Sequence, residues 1–235
     1  MFKLALSAGH GAKTAGKRCL KSLDPNETRE WWLNDRIADL VESGLKNYEG
    51  VEVLRLDDSD DGAEDVKLSK RTSAANGWRA DFYLSIHHNA GANGTEAGGI
   101  VAYTHPNASR AAVEWRDELY AALIKHTGLK GNRATPKATA NFQVLRETTM
   151  PAVLLELGYM DSATDVPVIL TDEYAQSCAD AIVEVIAKRR QLTKKAKTEK
   201  ALYKVQVGAF GKKANAEKLQ EQLKAEGYQT YIVKV

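Results

Sequence analysis

The chain has 235 residues, enough for one domain of ordinary size and a small additional piece. Hydrophobic residues make up 43% and charged residues 27%, a globular balance, and no run of about 18 apolar residues is available to cross a membrane as a helix. The net charge of +2 hides an asymmetry: residues 187–235 carry 13 Lys and Arg against 4 Asp and Glu, a net of +9, whereas the remainder carries 20 against 27, a net of −7.

Phe2 to Ser7 is a short apolar run and reads as a first strand. The N-terminus has no basic lead-in and too short an apolar stretch for a signal peptide. The expectation is therefore synthesis in the cytoplasm without a signal peptide. An extracytoplasmic substrate would then be reached by another route, such as phage lysis or lysis of a mother cell. Asp24-Pro25-Asn26-Glu27 reads as a capping box with Pro at the first helical position. It opens a helix over residues 28–48, where Leu33, Ile37, Leu40, Val41 and Leu45 recur at helical spacing. Val51 to Leu56 is a further strand. The acidic stretch 57–66 fits a calcium loop poorly and reads as a solvated loop. Residues 67–76 form a short helix with Gly77 placed to end it. Asp81 to Ile86, Gly99 to Tyr103 and Ala152 to Leu157 read as strands. Residues 107–126 and 171–190 read as long helices, the second with Thr171 as N-cap and Asp172 and Glu173 in its first turn.

Near-continuous apolar strands separated by helices predict an α/β fold, a mainly parallel sheet with helices on both faces. Residues 1–190 form this domain and residues 191–200, rich in Lys and Thr, read as a linker. The last piece, 201–235, reads as a small C-terminal βαβ module: strand Leu202 to Val207, amphipathic helix Asn215 to Glu226, strand Tyr228 to Val235. It is too small to bury a core alone and must dock or pair with another copy. Its basic charge suits a solvated face or an anionic polymer such as a cell wall. Without aromatic interleaving or a nucleic-acid motif, nucleic acid is not an expected partner. Cys178 falls on the apolar face of its helix and reads as a buried thiol, whereas Cys19 lies in a polar loop; two cysteines make no disulfide framework, although a single bridge stays open.

His10, His87 and Glu156 fall at or near the C-terminal ends of the three clearest strands. In open α/β sheets that edge is where sites form, so these groups can converge. Two histidines and one carboxylate, with a fourth position left to water, make a catalytic zinc arrangement, and a second carboxylate can then move the proton. Glu156 ends an apolar strand, where a carboxylate is costly unless paired or used. For the third ligand the choice lies between Glu27 and Glu30. Glu27 has an ordinary capping role, whereas Glu30 precedes Leu33 and Ile37 on the buried face, which favours Glu30. Adjacent strand residues point to opposite faces, so at most one of His87 and His88 serves as a ligand. His105 and His126 read as surface residues.

Five segments occur in an order that resembles a known family. They are Ser7-Ala8-Gly9-His10-Gly11, Glu30 with Asn34, Leu68-Ser69-Lys70-Arg71 with Ala75-Asn76, Ser85 to Ala90, and Pro151 to Gly158. Over residues 1–188 the chain resembles the zinc-dependent N-acetylmuramoyl-L-alanine amidases of the Amidase_3 type. The resemblance implies a twisted, mainly parallel sheet, Zn2+ as cofactor, and His10, Glu30 and His87 as its ligands. It makes Glu156 the catalytic carboxylate and His88 a bystander. It implies hydrolysis of the amide between N-acetylmuramic acid and L-alanine in peptidoglycan, as in an endolysin or autolysin. A zinc peptidase acting within the stem peptide and a catalytically silent wall-binding protein are the alternatives. The tail, with Tyr203 to Phe210, Ala214 to Ala216 and Gly227-Tyr228, resembles the first half of a SPOR-type peptidoglycan-binding domain. A single half implies that two chains each supply one, giving a homodimer.

Overall fold

The structure is a computed structural model that describes residues 1–58, 60–196 and 205–234. Two compact units form, Met1–Lys195 and Ala196–Val235. In the first, strands β1 (Phe2–Ala8), β2 (Val51–Arg55), β3 (Phe82–Asn89), β4 (Ile100–Thr104), β5 (Lys137–Thr139) and β6 (Ala152–Tyr159) form one sheet in the order β2-β1-β3-β6-β4-β5. The β2-β1-β3-β6 half is parallel, as the unbroken apolar runs predicted. β4 runs antiparallel to β6, and the short β5 follows β4 in parallel.

The strands bury both faces. Leu4, Leu6, Leu84, Ile86 and Leu155 share a core with helices α1 (Glu30–Leu45), α3 (Arg110–Thr127) and α6 (Asp172–Arg189). Trp115 of α3 stacks on Phe82 of β3 at 4.2 Å between ring centroids. On the other face Ala5, Tyr83 and Leu154 cluster with Ala75 of α2 (Leu68–Trp78) and Leu145 of the short α4 (Gln143–Arg146). A further short helix, α5 (Val166–Ile169), follows β6. The alternation of strand side chains thus decides which residues meet which helix layer.

Several expectations are corrected. Residues 24–27 do not cap α1: the helix opens at Glu30, its N-cap Arg29 makes no side-chain capping bond, and Glu27 sits at φ +50 in the preceding loop. Asp24 instead closes a local turn, accepting from Asn26 N at 3.1 Å and Thr28 N at 2.7 Å. Helix α2 passes through Gly77, and Arg79 takes the left-handed cap. Cys19 lies in a loop as expected but is buried, and both cysteines are free. At the start of the stretch expected as a linker, Glu49 N donates to Thr193 O at 2.9 Å and Lys195 N to Asn47 O at 2.8 Å. Thr171 caps α6 as predicted, accepting from Tyr174 N at 3.2 Å.

In the second unit α7 (Lys213–Ala225) forms where the amphipathic pattern lay. Among the described residues, 205–210 and 228–234 form no strand, and the expected strand Leu202 to Val207 lies partly outside them. The segment after α7 is tied back to the helix, Tyr228 N donating to Leu223 O at 3.0 Å and Gln220 Nε2 to Thr230 O at 3.1 Å. Leu202 to Lys204, residues 197–200 and Val235 lie outside the described residues. Among the described residues, no helix is long and apolar enough to cross a membrane.

Candidate metal centre

The site is built at the carboxyl edge of β1, β3 and β6. Past β1 the chain turns sharply: Gly9 N donates to Ile86 O at 2.8 Å, and His10 takes the left-handed region at φ +66. A non-glycine residue there is strained and must be held by its surroundings. Arg71 of α2 does the holding. Its buried guanidinium donates to Ser7 Oγ at 2.6 Å, to the carbonyl of Ala8, to His10 O at 3.0 Å and to Val66 O at 2.9 Å. Asp57 adds a second clamp by accepting from Ala8 N at 2.9 Å. Gly9 is required for another reason: a Cβ on it would lie 2.1 Å from the His87 ring.

Glu30, the first residue of α1, is buried with 1% of its surface exposed. One carboxylate oxygen, Oε1, lies 3.1 Å from His87 Nδ1. The other, Oε2, lies 3.3 Å from His10 Nε2 and 3.8 Å from Lys17 Nζ, yet accepts a hydrogen bond from neither. The rings of His10 and His87 meet edge to face at 5.1 Å. Thus His10, Glu30 and His87 offer three ligand atoms all within 4.8 Å of one another. Burial by itself would push the Glu30 carboxyl up, but the two imidazoles outweigh it and hold it well below the usual carboxylate range. Burial pushes the His87 imidazole down. Two imidazole nitrogens and a carboxylate, one oxygen of it buried without a partner, fit a divalent metal.

The structure separates His87 from His88. His87 pairs in register with Glu156 on the adjacent strand. His88 points to the α1 face, where its Nδ1 donates to Asn34 Oδ1 at 2.8 Å, and burial pushes its pKa down to about 3. Asn34 Nδ2 in turn donates to Gly9 O at 3.1 Å and approaches Glu30 Oε1 at 3.4 Å, so this bystander pair braces two ligand segments from behind. Glu27 is drawn away from the centre by Arg18 at 3.1 Å. His105 and His126 lie outside the site, His126 against Glu184 at 2.7 Å.

Glu156 stands beside the three ligands on the same sheet face as His87. Its carboxyl is pushed well above the ordinary value by burial, with the Glu30 charge adding and Lys17 opposing. Its Oε2 is buried without a hydrogen-bond partner. A raised pKa and an unpartnered oxygen beside a metal-ligand cluster suit a group that accepts and returns a proton. Sequence reasoning assigned no role to Gly9, Lys17, Asn34, Asp57 or Arg71. Asn34 and Arg71 stood in the ordered motifs, which was the available signal for them.

Fold and site define a class: a mainly parallel α/β domain with a three-ligand candidate metal centre and a buried carboxylate at the carboxyl edge of its sheet. A family model described as N-acetylmuramoyl-L-alanine amidase matches residues 4–188, and a SPOR domain model matches residues 184–235. The chain belongs to the N-acetylmuramoyl-L-alanine amidase family. It is 36% identical to the N-acetylmuramoyl-L-alanine amidase CwlM of Bacillus licheniformis over 233 residues, 99% of this chain and 85% of that one. It is 35% identical to the sporulation-specific N-acetylmuramoyl-L-alanine amidase of Bacillus subtilis, with the same coverage. The catalytic domain of CwlV, an N-acetylmuramoyl-L-alanine amidase from Bacillus (Paenibacillus) polymyxa, superposes with a TM-score of 0.71 at 30% identity, covering 82% of this chain and 100% of that one.

Proposed function

We propose that the chain hydrolyses the amide between the lactyl group of N-acetylmuramic acid and L-alanine in peptidoglycan, with Zn2+ held by His10, Glu30 and His87. The observation that carries this reading is the cluster of three ligand atoms within 4.8 Å, with Glu156 beside it. Zinc, when bound, supplies Lewis acidity and brings the pKa of a water towards about 7. Glu156 takes a proton from the attacking water as the carbon–oxygen bond forms. It returns that proton to the departing nitrogen as the carbon–nitrogen bond breaks. The products are a lactyl carboxylate and a free L-alanine amino terminus. Lys17, whose charge acts on Glu156, favours the ionised base needed at the start of the cycle.

The reading extends to the tail and the place of action. Val207, Phe210, Tyr228 and Val233 are exposed and α7 buries none of its residues, which supports a half SPOR module that needs a partner. A second copy of the chain supplies it, giving a homodimer that binds peptidoglycan. A monomer by light scattering at micromolar concentration would argue against that. Action falls on the cell wall, and the sporulation-specific name of the Bacillus subtilis relative favours release by mother-cell lysis over phage lysis.

The test is metal analysis of the purified chain with mass spectrometry of digested walls. About one zinc per chain and new L-alanine amino termini are expected. New termini inside the stem peptide would point to a peptidase, and wall binding without any new termini to a silent binding protein.

A further inference from the structure

The face of the sheet that carries Glu156 continues past it towards β5. Val101 of β4 is the register partner of Glu156 there. Tyr159 packs against Val101 and Ala92, with Tyr103 and Ala138 at the margin of the cluster. Tyr159 is buried, and its hydroxyl accepts from the Arg133 guanidinium, whose central carbon lies 6.0 Å from the ring centroid. Tyr159 packs on Val101, the register partner of Glu156, and follows Glu156 by three residues on β6, which brings the Arg133 guanidinium to the same end of the sheet as the proposed proton carrier.

The loop that presents Arg133 is pinned. Asn132 accepts from Gly98 N and donates to Glu96 O, both at 3.2 Å. Gly131, at φ +64, passes so close to Gly98 that a Cβ would lie 1.9 Å from its carbonyl oxygen. Arg133 is exposed, and among the described residues no carboxylate lies within 4.0 Å of it. Other cations near the site are committed: Lys17 faces Glu30 and Lys137 faces Asp117. A guanidinium held by Tyr159 through one nitrogen, with no carboxylate on its other donors among the described residues, is suited to an incoming carboxylate.

We propose that Arg133, seated on Tyr159, is an anion-reading subsite that takes the carboxylate of an acidic residue following L-alanine in the stem peptide. This rests on the amidase reading above. In that substrate the lactyl carboxyl is consumed in the scissile amide and the N-acetyl sugars are neutral. Anions close to the reacting bond therefore lie on the peptide side.

The experiment compares two synthetic substrates, N-acetylmuramoyl-L-alanyl-D-glutamate and the same molecule with both of that glutamate's carboxylates as carboxamides. Zinc-loaded full-length protein should cleave the carboxylate form about 10-fold or more better, a ratio typical of a charge-assisted contact. Arg133→Gln should abolish the preference by raising KM for the carboxylate form alone, with kcat nearly unchanged. Arg133→Lys should restore part of it, and Tyr159→Phe should weaken it. The same ratio should appear in the binding of the two product dipeptides to zinc-loaded Glu156→Gln protein, a readout independent of turnover. Equal cleavage and binding of both forms by the parent protein, or an equal loss on both in Arg133→Gln, overturns the subsite and leaves the amidase reading intact. No cleavage of either substrate by the parent protein overturns the amidase reading, and the subsite with it.

Discussion

Glu156 carries opposite costs for folding and for chemistry. In the folded metal-free protein its pKa lies well above 4.5 because burial and the Glu30 charge both oppose ionisation. A raised carboxyl favours the folded state fully below the unfolded pKa and loses that contribution as pH rises through the folded one. Glu156→Gln removes the penalty. The melting temperature of metal-free Glu156→Gln should therefore gain on that of the parent protein as pH rises above 4.5. A difference that does not change with pH would refute the burial argument. The same substitution should keep metal binding and lower kcat about 10²- to 10⁴-fold, the range for losing a general base. The two glutamates of the α1 entry can be separated in the same way. Glu30→Gln should lose zinc from the purified protein, whereas Glu27→Gln, a residue paired with Arg18, should retain it. Retention of zinc by Glu30→Gln would remove it from the ligand set. The buried thiols of Cys19 and Cys178, both pushed up to about 12 by burial first of all, should resist alkylation in the native protein.

Single elements act here as brackets, and the turn after β1 is the most demanding. It holds His10 in the left-handed region and lays Gly9 against the His87 ring. Gly9→Ala should displace one imidazole and lower zinc affinity by an order of magnitude or more, while Arg71 keeps the turn folded. Unchanged affinity by competition with a chelator would show that the ring can retreat freely. What was readable beforehand follows the same division. Strand ends, the buried faces of α1 and α6, and the Thr171 cap follow from spacing and local chemistry, and the structure reproduces them. The choice of Glu30 followed from helix periodicity even though the helix opened two residues later than expected. The guanidinium clamp of Arg71 on the β1 turn joins residues more than 60 positions apart, and no local pattern encodes such a contact. Residues 24–27 misled for a related reason: an Asp that can cap a helix can equally close a turn, and sequence alone cannot say which backbone amides will face it.

At the scale of the whole molecule, charge and core are divided between two units. Among the described residues, every cluster of buried apolar residues lies within Met1–Lys195, so the first unit holds the material needed to fold. The second unit has a helix without buried residues and, together with residues 187–195, a net charge of +9 against −7 for the remainder. If the tail serves to concentrate the enzyme on an anionic wall, it should contribute to binding and not to the chemical step. A chain ending at Lys195 should therefore match the full chain in kcat/KM on a small soluble muramoyl-peptide. On insoluble walls it should be slower, and the gap should narrow as salt rises, because charge attraction is screened over about 10 Å at 0.1 M ionic strength. The residual gap at high salt measures what the exposed apolar side chains of the tail add beyond charge. Equal rates on walls at low salt would mean that the basic tail plays no part in targeting. A loss on the soluble substrate as well would mean that the tail acts on the catalytic unit itself.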